Sequence, residues 1–189
     1  NNAMKIDKLG LLLLSFFLMT CAIKNDSLVN NNMIIIKDGL SYVNYDKIVN
    51  VDASEVLSLA NDYKLNKEYR LAVSLYSYVI LNNSESEHAP EAQWQIADIY
   101  INDLNEYLLG IEELYKIVDD FPNSNKSENA LFMIGYIYNN SLNSYSDAIN
   151  VYQSFIERYP SSELIPSINY ELENLKKTDS IIKNMRKDR

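Results

Sequence analysis

Residues 134–160, IGYIYNNSLNSYSDAINVYQSFIERYP, decide how this chain folds. Ile134-Gly135 and Tyr138 are followed at fixed distances by Ala148, Tyr152, Phe155 and Pro160. The same spacings occur 38 residues earlier, where Ile96-Ala97 and Tyr100 precede Gly110, Leu114, Ile117 and Pro122. A third version, Leu59-Ala60 and Tyr63 followed by Ala72, Tyr76 and Val79, is one residue shorter in the middle. Small, aromatic and apolar residues repeating at a fixed period mark units that bury an apolar face only against a neighbouring unit. The pattern predicts a solenoid, an architecture that holds other proteins and rarely performs chemistry.

Outward from these phrases, apolar residues recur at three- and four-residue steps, as the buried stripe of a helix demands. They predict six paired helices, near 53–65 and 68–82, 89–103 and 106–120, and 126–141 and 144–158. Asp52, three residues before Glu55, resembles a capping box at the first start. Asn82-Asn83-Ser84, Pro122-Asn123-Ser124 and Pro160-Ser161-Ser162 supply the breaks between pairs. Ala60, Ala97 and Gly135 face Ala72, Gly110 and Ala148 where paired helices approach, and Tyr76, Leu114 and Tyr152 are expected to fill the gap between repeats. A final stretch, Glu163 to Lys177, carries Leu164, Ile168, Leu172 and Leu175 and predicts a capping helix over the open end. The fold expected is therefore all-α, a right-handed solenoid of three helix pairs plus a cap, over residues 53–177. The basic tail 178–189, with Lys183, Arg186, Lys187 and Arg189, is expected to be disordered.

Upstream, Met33 to Lys37 and Leu40 to Tyr45 are β-rich runs flanking Asp38-Gly39, which predicts a β-hairpin within residues 33–52. Residues 21–32, ending in Asn30-Asn31-Asn32, read as a polar tether. Lys5 and Lys8 precede an apolar run from Leu9 to Met19, which makes residues 1–20 a signal segment too short to span a bilayer comfortably. Met4 reads as the start, with Asn1, Asn2 and Ala3 an upstream extension. Cys21 is the only cysteine and cannot form an internal disulfide.

Chemistry is sparse. Seventeen Lys and Arg against 26 Asp and Glu leave a net charge of -9, which repels nucleic-acid phosphate. His88, expected in a loop before a helix, is the single histidine and has no second His or Cys with which to share a metal. The adjacent pairs Glu112-Glu113 and Asp119-Asp120 point in different directions on a helix and form no catalytic dyad. Glycine-rich phosphate loops, Gly-x-Ser-x-Gly and Cys–His pairings do not occur. The sequence predicts a protein that is not an enzyme and uses no cofactor or metal.

The repeats over residues 53–160 resemble the tetratricopeptide repeat, lengthened from the ordinary 34 residues to steps of 37 and 38 between Ala60, Ala97 and Gly135. Their endings, Phe121-Pro122-Asn123-Ser124 and Tyr159-Pro160-Ser161-Ser162, resemble the envelope group that contains BamD and CpoB (YbgF). Leu18-Met19-Thr20-Cys21 is similar to a bacterial lipobox; Leu18 fits it and Thr20 departs from the usual small residue. The resemblance implies acyl chains on Cys21 and, with Ala22 rather than Asp after it, an outer-membrane anchor facing the periplasm. It implies a protein or peptide partner: BamD belongs to the machine that assembles outer-membrane β-barrels, and CpoB links Tol–Pal to cell-wall synthesis at division. The chain shows fewer repeats than BamD, and residues 22–52 lack the heptads of CpoB; a purely structural spacer is the third reading.

In the tetratricopeptide register the concave face carries Leu57, Asn61 and Lys64, then Glu91, Trp94, Asp98 and Asn102, then Asn129, Phe132, Tyr136, Asn139 and Asn140. Amides there suit the backbone of an extended peptide and aromatics its side chains. The competing assignment makes Trp94 and Phe132 core and the asparagines a solvated face.

Overall fold

The computed structural model describes residues 33–37 and 40–187. The signal segment, Cys21 and the tether lie outside the described residues, as does the Asp38-Gly39 turn. Two compact units divide between Glu55 and Val56. In the first, β1 (Ile34–Lys37) and β2 (Leu40–Val43) pair antiparallel, Ile34 opposite Val43 and Ile35 opposite Tyr42, which is the hairpin that the β-rich runs predict. A one-turn helix, α1 (Tyr45–Ile48), follows. Four residues are too few to show a period, so patterning gives no sign of it. Asp52 then accepts the Ser54 N–H at 2.9 Å, satisfying one of the donors that the start of α2 (Ala53–Leu65) leaves unpaired.

In the second unit α2 is followed by α3 (Tyr69–Asn82), α4 (His88–Asp98), α5 (Tyr107–Asp120), α6 (Asn125–Asn140), α7 (Tyr145–Arg158) and α8 (Ile165–Lys187). The pairs α2/α3, α4/α5 and α6/α7 are the three repeats, and α8 covers the last. His88 is the first residue of α4 rather than part of a loop. The core that joins the second repeat, the third and the cap includes Leu114, Ile117, Ile134, Tyr152, Phe155, Ile168, Leu172 and Leu175.

The one-residue difference between repeats is absorbed at the end of each first helix. Among the described residues, Lys67, Asn105 and Asn143 are the non-glycine residues with positive φ, at 61°, 58° and 51°. Each ends a first helix with the left-handed residue that frees the chain to reverse. In the second repeat α4 continues as a π-helical turn over Ile99–Asp103, with the Leu104 N–H bonded to the Ile99 carbonyl at 3.0 Å. The third repeat makes the same wide bond from Leu142 to Ile137 at 3.0 Å. The Tyr100 and Tyr138 carbonyls then accept from Glu106 and Ser144, whereas in the shorter first repeat Tyr63 accepts from Glu68, one residue sooner.

The aromatic-Pro-x-Ser endings close α5 and α7 and open the next helix. Phe121 and Tyr159 leave the helical region ahead of a proline that disfavours it. Ser124 Oγ accepts the Lys126 N–H at 3.1 Å, and Ser162 Oγ accepts the Leu164 N–H at 3.0 Å. Tyr159 also shares a 2.8 Å hydroxyl hydrogen bond with buried Ser127.

Gly135 lies under the Tyr152 ring so closely that a Cβ there would stand 2.4 Å from Cε1, a separation real side chains do not reach. The cap runs farther than the pattern predicts. α8 reaches Lys187, so residues 178–187 are helical and not disordered. No glycine or proline follows Pro166 to break the helix, and Pro166 itself sits in the first turn, where its missing N–H is harmless.

Candidate binding groove

The groove follows from the first helices, α2, α4 and α6, whose faces are tied across repeats by polar side chains. Lys64 of α2 reaches both Gln95 Oε1, at 2.7 Å, and Asp98 on α4. Lys126 of α6 pairs with Glu91 Oε2 at 2.7 Å and stands 5.4 Å from the centre of the Trp94 ring, within range for a cation–π contact. Burial alone would raise the Glu91 carboxyl, but the hydrogen bonds from Lys126 and Gln95 and the nearby charge of Lys64 hold it below the ordinary carboxylate value. The charges of this face are therefore largely neutralised by one another.

Between α4 and α6 lies a cavity of about 290 Å³. Trp94, Asp98, Asn102 and Tyr136 line it, with Leu114 of α5 at its floor and Met133 on α6. Tyr136 is 48% exposed, high for a residue of its size. A broader, more open depression of about 720 Å³ lies between the turns at 84–87 and 120–125, floored by Ile80, Pro90, Phe121 and Pro122. It is built from turns rather than from facing helices, so the smaller cavity is the better formed receptor.

The remaining residues expected on the concave face are dispersed. Leu57 is only 8% exposed and belongs to the core. Phe132 also turns inward, its ring 6.1 Å from that of Tyr152. Asn61 accepts the Tyr76 hydroxyl at 2.6 Å. Asn139 reaches Glu171 on α8 at 3.3 Å. Asn129 and Asn140 are exposed and donate back to carbonyls of their own helix, at Asn125 and Tyr136. Met133, Gln95 and Lys126 were missed by the sequence reading. Met133 follows Phe132 by one position, so the assumed register is one residue early along that part of α6.

Tyr76 and Tyr152 hold their phenol protons well above the usual range. Burial is the first cause in both, followed by Asp98 and Glu91 around Tyr76, and by Glu171 and Tyr136 around Tyr152. Above about pH 10 an unfolded chain releases protons that these folded phenols keep, so stability must fall as pH rises. Denaturant melts between neutral pH and about pH 11 should show this loss, and Tyr152→Phe should flatten it; an unchanged alkaline limb in the variant would refute the assignment.

Among the described residues, no group of three or more His, Cys, Asp and Glu side chains is placed to hold a metal. Residues 91–124 and 129–162 each match the tetratricopeptide repeat family. No curated protein matches the chain. These two stretches are thus similar to tetratricopeptide repeats, modules that in general are non-catalytic scaffolds for protein–protein interaction.

Proposed function

We propose that this chain is a lipid-anchored scaffold of the bacterial envelope that holds an extended segment of a protein partner along α2, α4 and α6, serving outer-membrane protein assembly in the manner of BamD. The observation that supports binding is the cavity between α4 and α6, with exposed Tyr136 beside Trp94. The anchor rests on Leu18-Met19-Thr20-Cys21 behind its apolar run. Acyl chains on Cys21 would hold the protein at the membrane and raise its effective concentration there, leaving the groove to supply recognition.

The test is a crosslinked pull-down from membranes with the wild type and with Trp94→Ala/Tyr136→Ala. Aromatic anchors of this kind contribute about 2 kcal/mol or more, so capture should fall at least tenfold while the thermal transition remains cooperative. Recovery of barrel-assembly proteins supports the reading. Recovery of Tol–Pal components moves it to a CpoB-like role, and capture indifferent to the double substitution leaves the solenoid as a spacer. In the same fractions, Cys21→Ser should leave the membrane; retention there would overturn the anchor.

A further inference from the structure

The cavity between α4 and α6 is lined at positions that recur in the other two repeats, and there a buried tyrosine of this chain stands at the position of Leu114. Tyr76, Leu114 and Tyr152 occupy one repeat position, each 38 residues from the next. In the first repeat the Tyr76 ring is fully buried and its hydroxyl donates to Asn61 at 2.6 Å. In the third, the Tyr152 ring lies on the bare backbone of Gly135 and beside Phe132. In the second, Leu114 stands where the phenol would be and stops short, leaving about 290 Å³ open. The cavity wall repeats the site that Tyr76 fills. Ala97 corresponds to Ala60, Trp94 to Leu57, and Asp98 to Asn61, the acceptor of the Tyr76 hydroxyl.

We propose that this cavity receives a tyrosine side chain from an extended segment of a partner protein, its ring against Trp94 and its hydroxyl donating to Asp98. Asp98 already accepts from Lys64 and Asn102, but a carboxylate has lone pairs for a further donor. A phenol hydroxyl can donate to it, whereas an ionised phosphate ester or carboxylate has no proton to give. Residues 1–32 contain no tyrosine, so that segment cannot supply the side chain. The assignment rests on reading α2, α4 and α6 as the binding face and specifies what that face recognises.

The probe is N-acetyl-tyrosinamide, and the reporter is Trp94, the single tryptophan of the chain. Wild-type protein should show a saturable change in indole emission with a dissociation constant on the order of 1 mM, as befits so small a ligand. N-acetyl-phenylalaninamide should bind about tenfold more weakly, since it lacks the hydrogen bond to a charged acceptor. Leu114→Tyr restores the residue type of the other repeats and should fold at least as stably, fill the cavity itself and abolish the response. A response equal in Leu114→Tyr, equal binding of the phenylalanine analogue, or binding of the phosphotyrosine analogue at equal or greater strength would each overturn the proposal. So would a dimer that Leu114→Tyr disrupts, because a second copy would then be the occupant. If Leu114→Tyr blocks the probe but still captures the membrane partner, the tyrosine inference fails and the scaffold reading stands. If wild type captures no partner, the scaffold reading fails, while the probe still decides the chemistry of the cavity.

Discussion

Phe155→Ala is expected to destabilise the helical unit by about 3–5 kcal/mol, the range for removing a fully buried aromatic and leaving part of its volume empty. Phe155 is 0% exposed and sits in the core that joins α5, α6, α7 and α8. Its ring centroid is 5.1 Å from that of Tyr159, which is itself held by Ser127, so collapse into the void would disturb the turn into the cap. Domains of this size have total stabilities of about 5–15 kcal/mol, so the loss is a large fraction of the whole. Urea melts at fixed temperature measure it. A shift below about 1 kcal/mol, the centre of ordinary point-mutation effects, would mean that Phe155 does not join the repeats as described.

Ile168→Asp is expected to be comparably severe, about 3–5 kcal/mol for an uncompensated charge at a buried position. Ile168 is 0% exposed and belongs to the same core as Leu172 and Leu175, the side chains with which α8 covers the third repeat. Burial disfavours the ionised carboxylate and raises its pKa, so the variant should lose less stability at acid pH than at neutral pH. Because a solenoid is held by nearest-neighbour interfaces, hydrogen exchange should show protection lost first in α8 and α7 and retained longer in α3 and α4. Uniform loss of protection along the chain would contradict this division into neighbour interfaces.

The fold was legible because its determinants are local and periodic. Three phrases in register place six helices within a residue or two of their observed ends, counting the π-helical turn that carries α4 on to Asp103, since proline, serine and small residues fix where each must stop. Lys183, Arg186 and Lys187 misled, because charge and polarity suggest a disordered tail while the absence of any breaker lets α8 continue. The groove was only partly legible. Trp94, Asp98, Asn102 and Tyr136 share one cavity, but Leu57 and Phe132 turn inward. An apolar residue on a two-sided helix does not declare which side it serves, and one residue rotates its direction by about 100°. The cavity itself depends on a comparison between repeats: Leu114 was expected to fill the gap as Tyr76 and Tyr152 do, and its shorter side chain is what leaves the gap open.

The wide turn that ends the first helices of the second and third repeats bears on how such arrays change length. The extra residue enters after the packed face of the helix and before the left-handed Asn105 or Asn143, so it alters neither which side chains meet the neighbour nor where the second helix begins. Insertions and deletions of one residue are thus tolerated at that joint, where elsewhere on a helix they would rotate every contact downstream. Units of 37 and 38 residues therefore share one packing pattern, and the joint is where the array accommodates a difference in length.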